Sequence, residues 1–211
     1  MTSTENTLAD IQRLSQEVHD GGRKSFCACR DLFQKLLVIT VMAEGQQVIL
    51  RSGPKDAVRA LEGAHRSAYA PTDTGLVRLR DNHWLSIGMH LSLTKKNRLA
   101  VGQSKFQYQW EEDRSSAVFR YDYSRASIHV HPAAHVNIHG SFDAAGPQPL
   151  ERIHFPTGRT SLEQVLRLLI QGFKVPAATP SDVWLPALAS AEARFAEVAN
   201  QPPFVGIPDG A

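Results

Sequence analysis

From Trp84 to Thr94 the chain alternates. Leu85, Ile87, Met89, Leu91 and Leu93 fall on one side, and Ser86, Gly88, His90, Ser92 and Thr94 on the other. A period of two places the apolar set on one face of a β-strand. Lys95-Lys96-Asn97-Arg98 then reads as a hairpin connection. A second strand sets Phe106, Tyr108 and Trp110 against Lys105, Gln107 and Gln109. A turn follows at Glu111-Glu112-Asp113-Arg114. A third strand, Ala117 to Tyr123, sets Phe119, Tyr121 and Tyr123 against Val118, Arg120 and Asp122. The pattern predicts an antiparallel meander with one apolar and one polar face.

Helical spacing flanks this region. Leu8, Ile11, Leu14 and Val18 share one face of a helix over Thr7 to Val18, which Gly21-Gly22 ends. Ser25 is placed to cap a second helix. Leu36 to Met42 is too continuously apolar to assign by period, although Val38, Ile39, Thr40 and Val41 lean towards strand. Gln47 to Arg51 reads as a short strand. Ser52-Gly53-Pro54 breaks it, and Val58, Leu61, His65 and Tyr69 predict a helix over Lys55 to Ala68. Asp143 to Gln148 reads as a loop, and Leu150 to Phe155 as a last strand. Thr160 and Glu163 have capping-box spacing at the start of a helix through Phe173. A final helix is expected over Ala187 to Ala199, with Pro186 in its first turn. The fold class is therefore α+β: an antiparallel meander sheet of five to six strands with N- and C-terminal helices packed on one face. Residues 1–200 read as one domain, with a helical part at 1–70, the sheet at 76–155 and helices at 160–200. The Pro- and Gly-rich residues 201–211 read as a disordered tail.

Composition changes little in this picture. Of 211 residues, 42% are hydrophobic and 21% charged, which excludes a disordered chain. A net charge of +2 gives no general argument for nucleic-acid binding, which needs clustered Lys and Arg. Cys27 and Cys29 are the only cysteines, too few for a zinc site and poorly spaced for a mutual bridge. They fit a reducing cytoplasm and read as buried and inert. The N-terminus is polar and acidic, unlike a signal peptide. The apolar run Leu36 to Ala43 is far short of the roughly 20 residues that span a bilayer. The expectation is a cytoplasmic protein with no membrane partner.

Candidate chemistry gathers after the third strand. His129, His131, His135 and His139 are four of the nine histidines. A helix begun by Pro132 would stack His131, His135 and His139 at intervals of four. A strand would set Val136 and Ile138 against His135, Asn137 and His139, and its β-branched alternation is favoured. On a strand, residues four apart lie about 13 Å apart, too far for His135 and His139 to share one metal ion. A metal site would need His90 or His154 from a neighbouring strand, or the loop histidines. Acid–base chemistry fits better, because imidazole titrates near neutral pH. In metal-free RNA cleavage one group takes the 2′-hydroxyl proton, another protonates the leaving oxygen, and a cation holds the phosphate. His135 and His139 suit the proton transfers, Arg120 the charge, and Asp122 the orientation of a ring. His90, His131, Asn137 and His154 are candidate binding residues. Lys95, Lys96 and Arg98 form a basic loop where a phosphate backbone would be gripped. His19 and His65 read as structural, and His83 as a solvated turn residue.

Phe119-Arg120-Tyr121-Asp122, followed by closely spaced histidines, resembles the TumE-type toxins of bacterial toxin–antitoxin systems. The resemblance covers about residues 117–140. Tyr123 stands where the family's pattern has Asn, and Pro132-Ala133-Ala134 separates histidines that the family pairs. It implies a bacterial cytosolic protein that acts on or binds nucleic acid. RNA and a cognate antitoxin are the expected partners, and no cofactor is expected. The leading reading is a metal-independent RNase-like toxin. A non-catalytic binding module and a His-dependent metallohydrolase are the alternatives. A polar sheet face also suits a homodimer contact.

Overall fold

The computed structural model describes residues 3–52, 58–66, 71–125, 132–139 and 154–198. Helices α1 (Ser3–Asp20) and α2 (Lys24–Ile39) precede the sheet. Strands β1 (Gln46–Ser52), β2 (Val58–Arg66), β3 (Pro71–Arg78), β4 (Trp84–Leu93), β5 (Leu99–Gln109), β6 (Ala117–Ser124), β7 (Ala134–Ile138) and β8 (Phe155–Pro156) follow. Helices α3 (Leu162–Gln171) and α4 (Ser181–Val198) close the described chain. The fold is α+β, with an antiparallel sheet and helices from both ends. The eight strands lie side by side in chain order, more than the five or six expected, and the sheet begins at residue 46 rather than 76.

The additional strands correct a misread period. Residues 58–66 form β2, where helical spacing of Val58, Leu61 and His65 predicts a helix. Leu61 is fully buried, and β2 is wedged among three strands. Its first half pairs with β4 and its second half with β3, while β1 runs along its other edge. The fork falls at Gly63, where a Cβ would stand 3.0 Å from Val77 Cγ1 and 3.1 Å from the Gly75 carbonyl. Only glycine lets three strands converge this closely.

Leu36 to Ile39 is helical, not extended. Leu36 and Leu37 are fully buried, and this tertiary burial overrides the β-branched preference of Val38 and Ile39. Thr40 ends the helix, its Oγ1 donating to the Leu36 carbonyl at 2.5 Å. Ser25 does not cap α2. That position belongs to Arg23, and Ser25 Oγ instead donates to the Gly22 carbonyl. The capping box of α3 is one residue later than predicted: Ser161 accepts from Gln164 N, and Gln164 Oε1 accepts from Ser161 N. Helix α4 starts at Ser181, so Pro186 lies inside it. Trp184, Ala187, Leu188 and Ala191 continue a buried stripe through the proline, offsetting the single backbone bond it removes.

One core joins the layers. Leu85, Ile87, Leu91, Phe106 and Phe119 from the sheet meet Leu36, Leu37, Leu166, Leu169 and Leu188 from the helices. The expected loop at Asp143 to Gln148, the start of the strand at Leu150 and the tail at 201–211 lie outside the described residues. No described helix is long and apolar enough to cross a membrane.

Candidate active site on strands β6 and β7

Strand β6 turns Phe119 and Tyr123 into the core, and alternation sends Arg120 and Asp122 to the other face. In β7, Val136 and Ile138 alternate with His135 and Asn137. Register then decides the neighbours. Arg120 faces Asn137 and Asp122 faces His135 across β6–β7. From β5, Gln107 faces Arg120 and Lys105 faces Asp122.

Asp122 is the hub. Its Oδ2 accepts from Arg120 Nε at 2.5 Å and from Asn137 Nδ2 at 3.3 Å, and lies 3.8 Å from His135 Nε2. Only Nε of the Arg120 guanidinium is used. Its two terminal nitrogens make no hydrogen bond among the described residues, and the side chain is 32% exposed. His135 Nδ1 lies 3.0 Å from the Pro132 carbonyl oxygen. A carbonyl only accepts, so Nδ1 carries a proton and Nε2 is turned towards the carboxylate. His154, just before β8, rests on this ring with centroids 4.6 Å apart at 58°. The polar face is no open surface here: His135 is 8% and Asn137 1% exposed.

Arg120, Asp122, His135, Asn137 and His154 therefore stand together. The other predicted residues stand apart. His139 keeps strand register, its backbone N donating to the Val118 carbonyl at 2.9 Å. It lies four residues along from His135, about 13 Å away on an extended chain. His90 is exposed on the same face as His135 but three strands away, about 14 Å by strand spacing. His129 and His131 lie outside the described residues. The basic loop of Lys95, Lys96 and Arg98 is anchored elsewhere. Gly22 N donates to the Asn97 carbonyl at 2.7 Å, and Arg98 Nη1 donates to the His19 carbonyl at 2.5 Å. These bonds hold the loop against the α1–α2 turn.

His83 departs from expectation. Its Nδ1 is 2.8 Å from Asp81 Oδ2 and 2.7 Å from Tyr108 Oη, and Trp110 packs edge-on against its ring. Burial raises the Tyr108 hydroxyl pKa, and Asp81 adds to the effect. Cys29 is buried as expected, its thiol pushed up to about 12 by burial, whereas Cys27 is exposed. Lys105 and Gln107 were absent from the predicted site. Both lie on the polar side of the alternation, but only the cross-strand register reveals them as neighbours of Asp122 and Arg120.

Among the described residues, no group of three or more His, Cys, Asp or Glu side chains is arranged to hold a metal ion. No family model matches the chain, and comparison with curated proteins and with solved structures gives no match.

Proposed function

We propose that the chain is a metal-independent, RNase-like enzyme of the toxin kind, with its site on β6 and β7. The observation that carries this reading is the Asp122 hub, which fixes Arg120 through Nε alone and leaves the outer end of its fork open. A planar guanidinium held in this way suits a phosphate, which it can meet with two parallel hydrogen bonds. His135, locked by Pro132 and facing Asp122 through Nε2, is the group that takes or gives the proton. His154, stacked beside it, replaces His139 as the second imidazole. Asn137 orients Asp122, and Lys105 adds positive charge along the same row. A cognate antitoxin would act by covering this face.

A second reading has its own support. The burial of His135 and Asn137 suits a polar network that ties β6 to β7 in a non-catalytic interaction module. Incubation with single-stranded RNA, and with DNA of the same sequence, separates the two. The enzyme reading expects RNA cleavage that persists in EDTA, with DNA left intact because it lacks the 2′-hydroxyl. Intact RNA under every condition favours the interaction module. Cleavage abolished by EDTA turns the assignment to a metallohydrolase.

A further inference from the structure

On the other side of the sheet, a cavity of about 460 Å³ lies among α1, α2, α4, the start of α3 and strands β4 and β5. Its volume is in the range of small-molecule sites. Leu32, Phe33, Met89, Val101, Phe106 and Leu162 supply apolar wall, and four arginines, Arg98, Arg125, Arg159 and Arg194, outnumber the two carboxyl residues Glu163 and Glu197 in the lining.

Arg159 is the unusual member. Its guanidinium sits 4.6 Å from the centre of the Tyr123 ring and 5.1 Å from that of Phe195. Among the described residues it has no hydrogen bond and no carboxylate partner, and a second cation, Arg125, acts on it. Desolvation lowers its pKa, Tyr123 opposes this, and Arg125 lowers it further. Of the others, Arg194 is paired with Glu197, and Arg98 is bonded to the His19 carbonyl. Among the described residues the Arg125 side chain donates only to the Tyr123 hydroxyl, at 3.3 Å. A partly buried cation with five idle donors beside a second cation is costly unless an anion completes it. On the α1 wall, buried Ser15 Oγ and His19 Nδ1 also lack hydrogen-bond partners among the described residues.

We infer that this cavity binds a small amphipathic oxyanion, with its apolar body among the core side chains and its headgroup on Arg159 and Arg125. A carboxylate and a phosphate monoester share this chemistry. The site is separate from β6–β7 polar chemistry and does not rest on the proposed RNA cleavage.

Calorimetric titration of the full chain with octanoate, octyl phosphate and 1-octanol tests the inference. At least one of the two anions should bind saturably at one per chain, about tenfold or more tighter than the alcohol, as a charge-assisted hydrogen bond requires. The tighter anion identifies the headgroup. Arg159→Gln should abolish the preference for the anion. Arg125→Gln, at an exposed position, should weaken the anion without affecting folding, so it remains informative if Arg159→Gln does not fold. Equal affinity for anion and alcohol would overturn the inference. So would the absence of saturable binding, or affinities unchanged in the folded variants.

Discussion

Asp122 gathers three side chains through one oxygen, and its charge is what Arg120 is held against. Asp122→Asn keeps the shape but removes that charge from a guanidinium that is only 32% exposed. The expected cost is about 1.5–3 kcal/mol, the range for a hydrogen bond to a charged group. Urea denaturation of Asp122→Asn, Arg120→Gln and the double variant measures it. The double variant should lose less than the sum of the single ones, and strict additivity would mean the pair is not coupled. Glu163 allows a test by pH. Burial raises its carboxyl pKa above the ordinary value, and the Ser161 hydroxyl only partly offsets this. The native chain therefore keeps this proton to a higher pH than the unfolded chain does. The stability it contributes is present below the ordinary glutamate value and is lost as pH rises through the raised one. Glu163→Gln cannot ionise. Its urea midpoint should exceed that of the wild type at about pH 7, and the two should converge towards about pH 4. A constant difference across that range would contradict the assignment.

At the scale of elements, the closest approach is between the α1–α2 turn and the β4–β5 hairpin. Gly21 has φ +82°, and a Cβ there would stand 2.2 Å from the Asn97 carbonyl oxygen. Gly45 has a similar φ of +77° with nothing within 4 Å. Gly45→Ala should therefore cost only the left-handed backbone penalty, about 1–2 kcal/mol. Gly21→Ala adds the clash and should cost distinctly more, read from paired urea curves. Similar losses would mean that the hairpin is not held against the turn. The same elements show what was legible in the sequence. Strands β4, β5 and β6 were readable because their apolar residues keep strict alternation, even though Ser86, Gln107 and Gln109 on the polar side are buried as well. β2 was not, since its side chains meet a three-strand fork at Gly63 rather than one flat face. The end of α2 was not readable either, because burial of Leu36 and Leu37 outweighs local preference. For the site, alternation placed Arg120, Asp122, His135 and Asn137 on one face. Which of them touch depends on register, and the sequence between β6 and β7 does not announce it.

Across the whole molecule, the sheet separates two chemistries. Phe119 and Tyr123 turn into the core, where the Tyr123 ring meets Arg159 of the cavity, while Arg120 and Asp122 of the same strand face the histidines. The alternation of β6 keeps the two groups of side chains apart. In the proposed RNA cleavage, His135 is the group that moves the proton. Removing a general acid or base typically lowers the rate about 10²–10⁴-fold. The most direct measurement is the single-turnover rate of RNA cleavage in EDTA by the wild type and by His135→Ala, each confirmed folded by its urea transition. Cleavage by the wild type and a loss of about 10²-fold or more in the variant are expected. Equal rates in the two proteins, or no cleavage by the wild type, would contradict this role of His135.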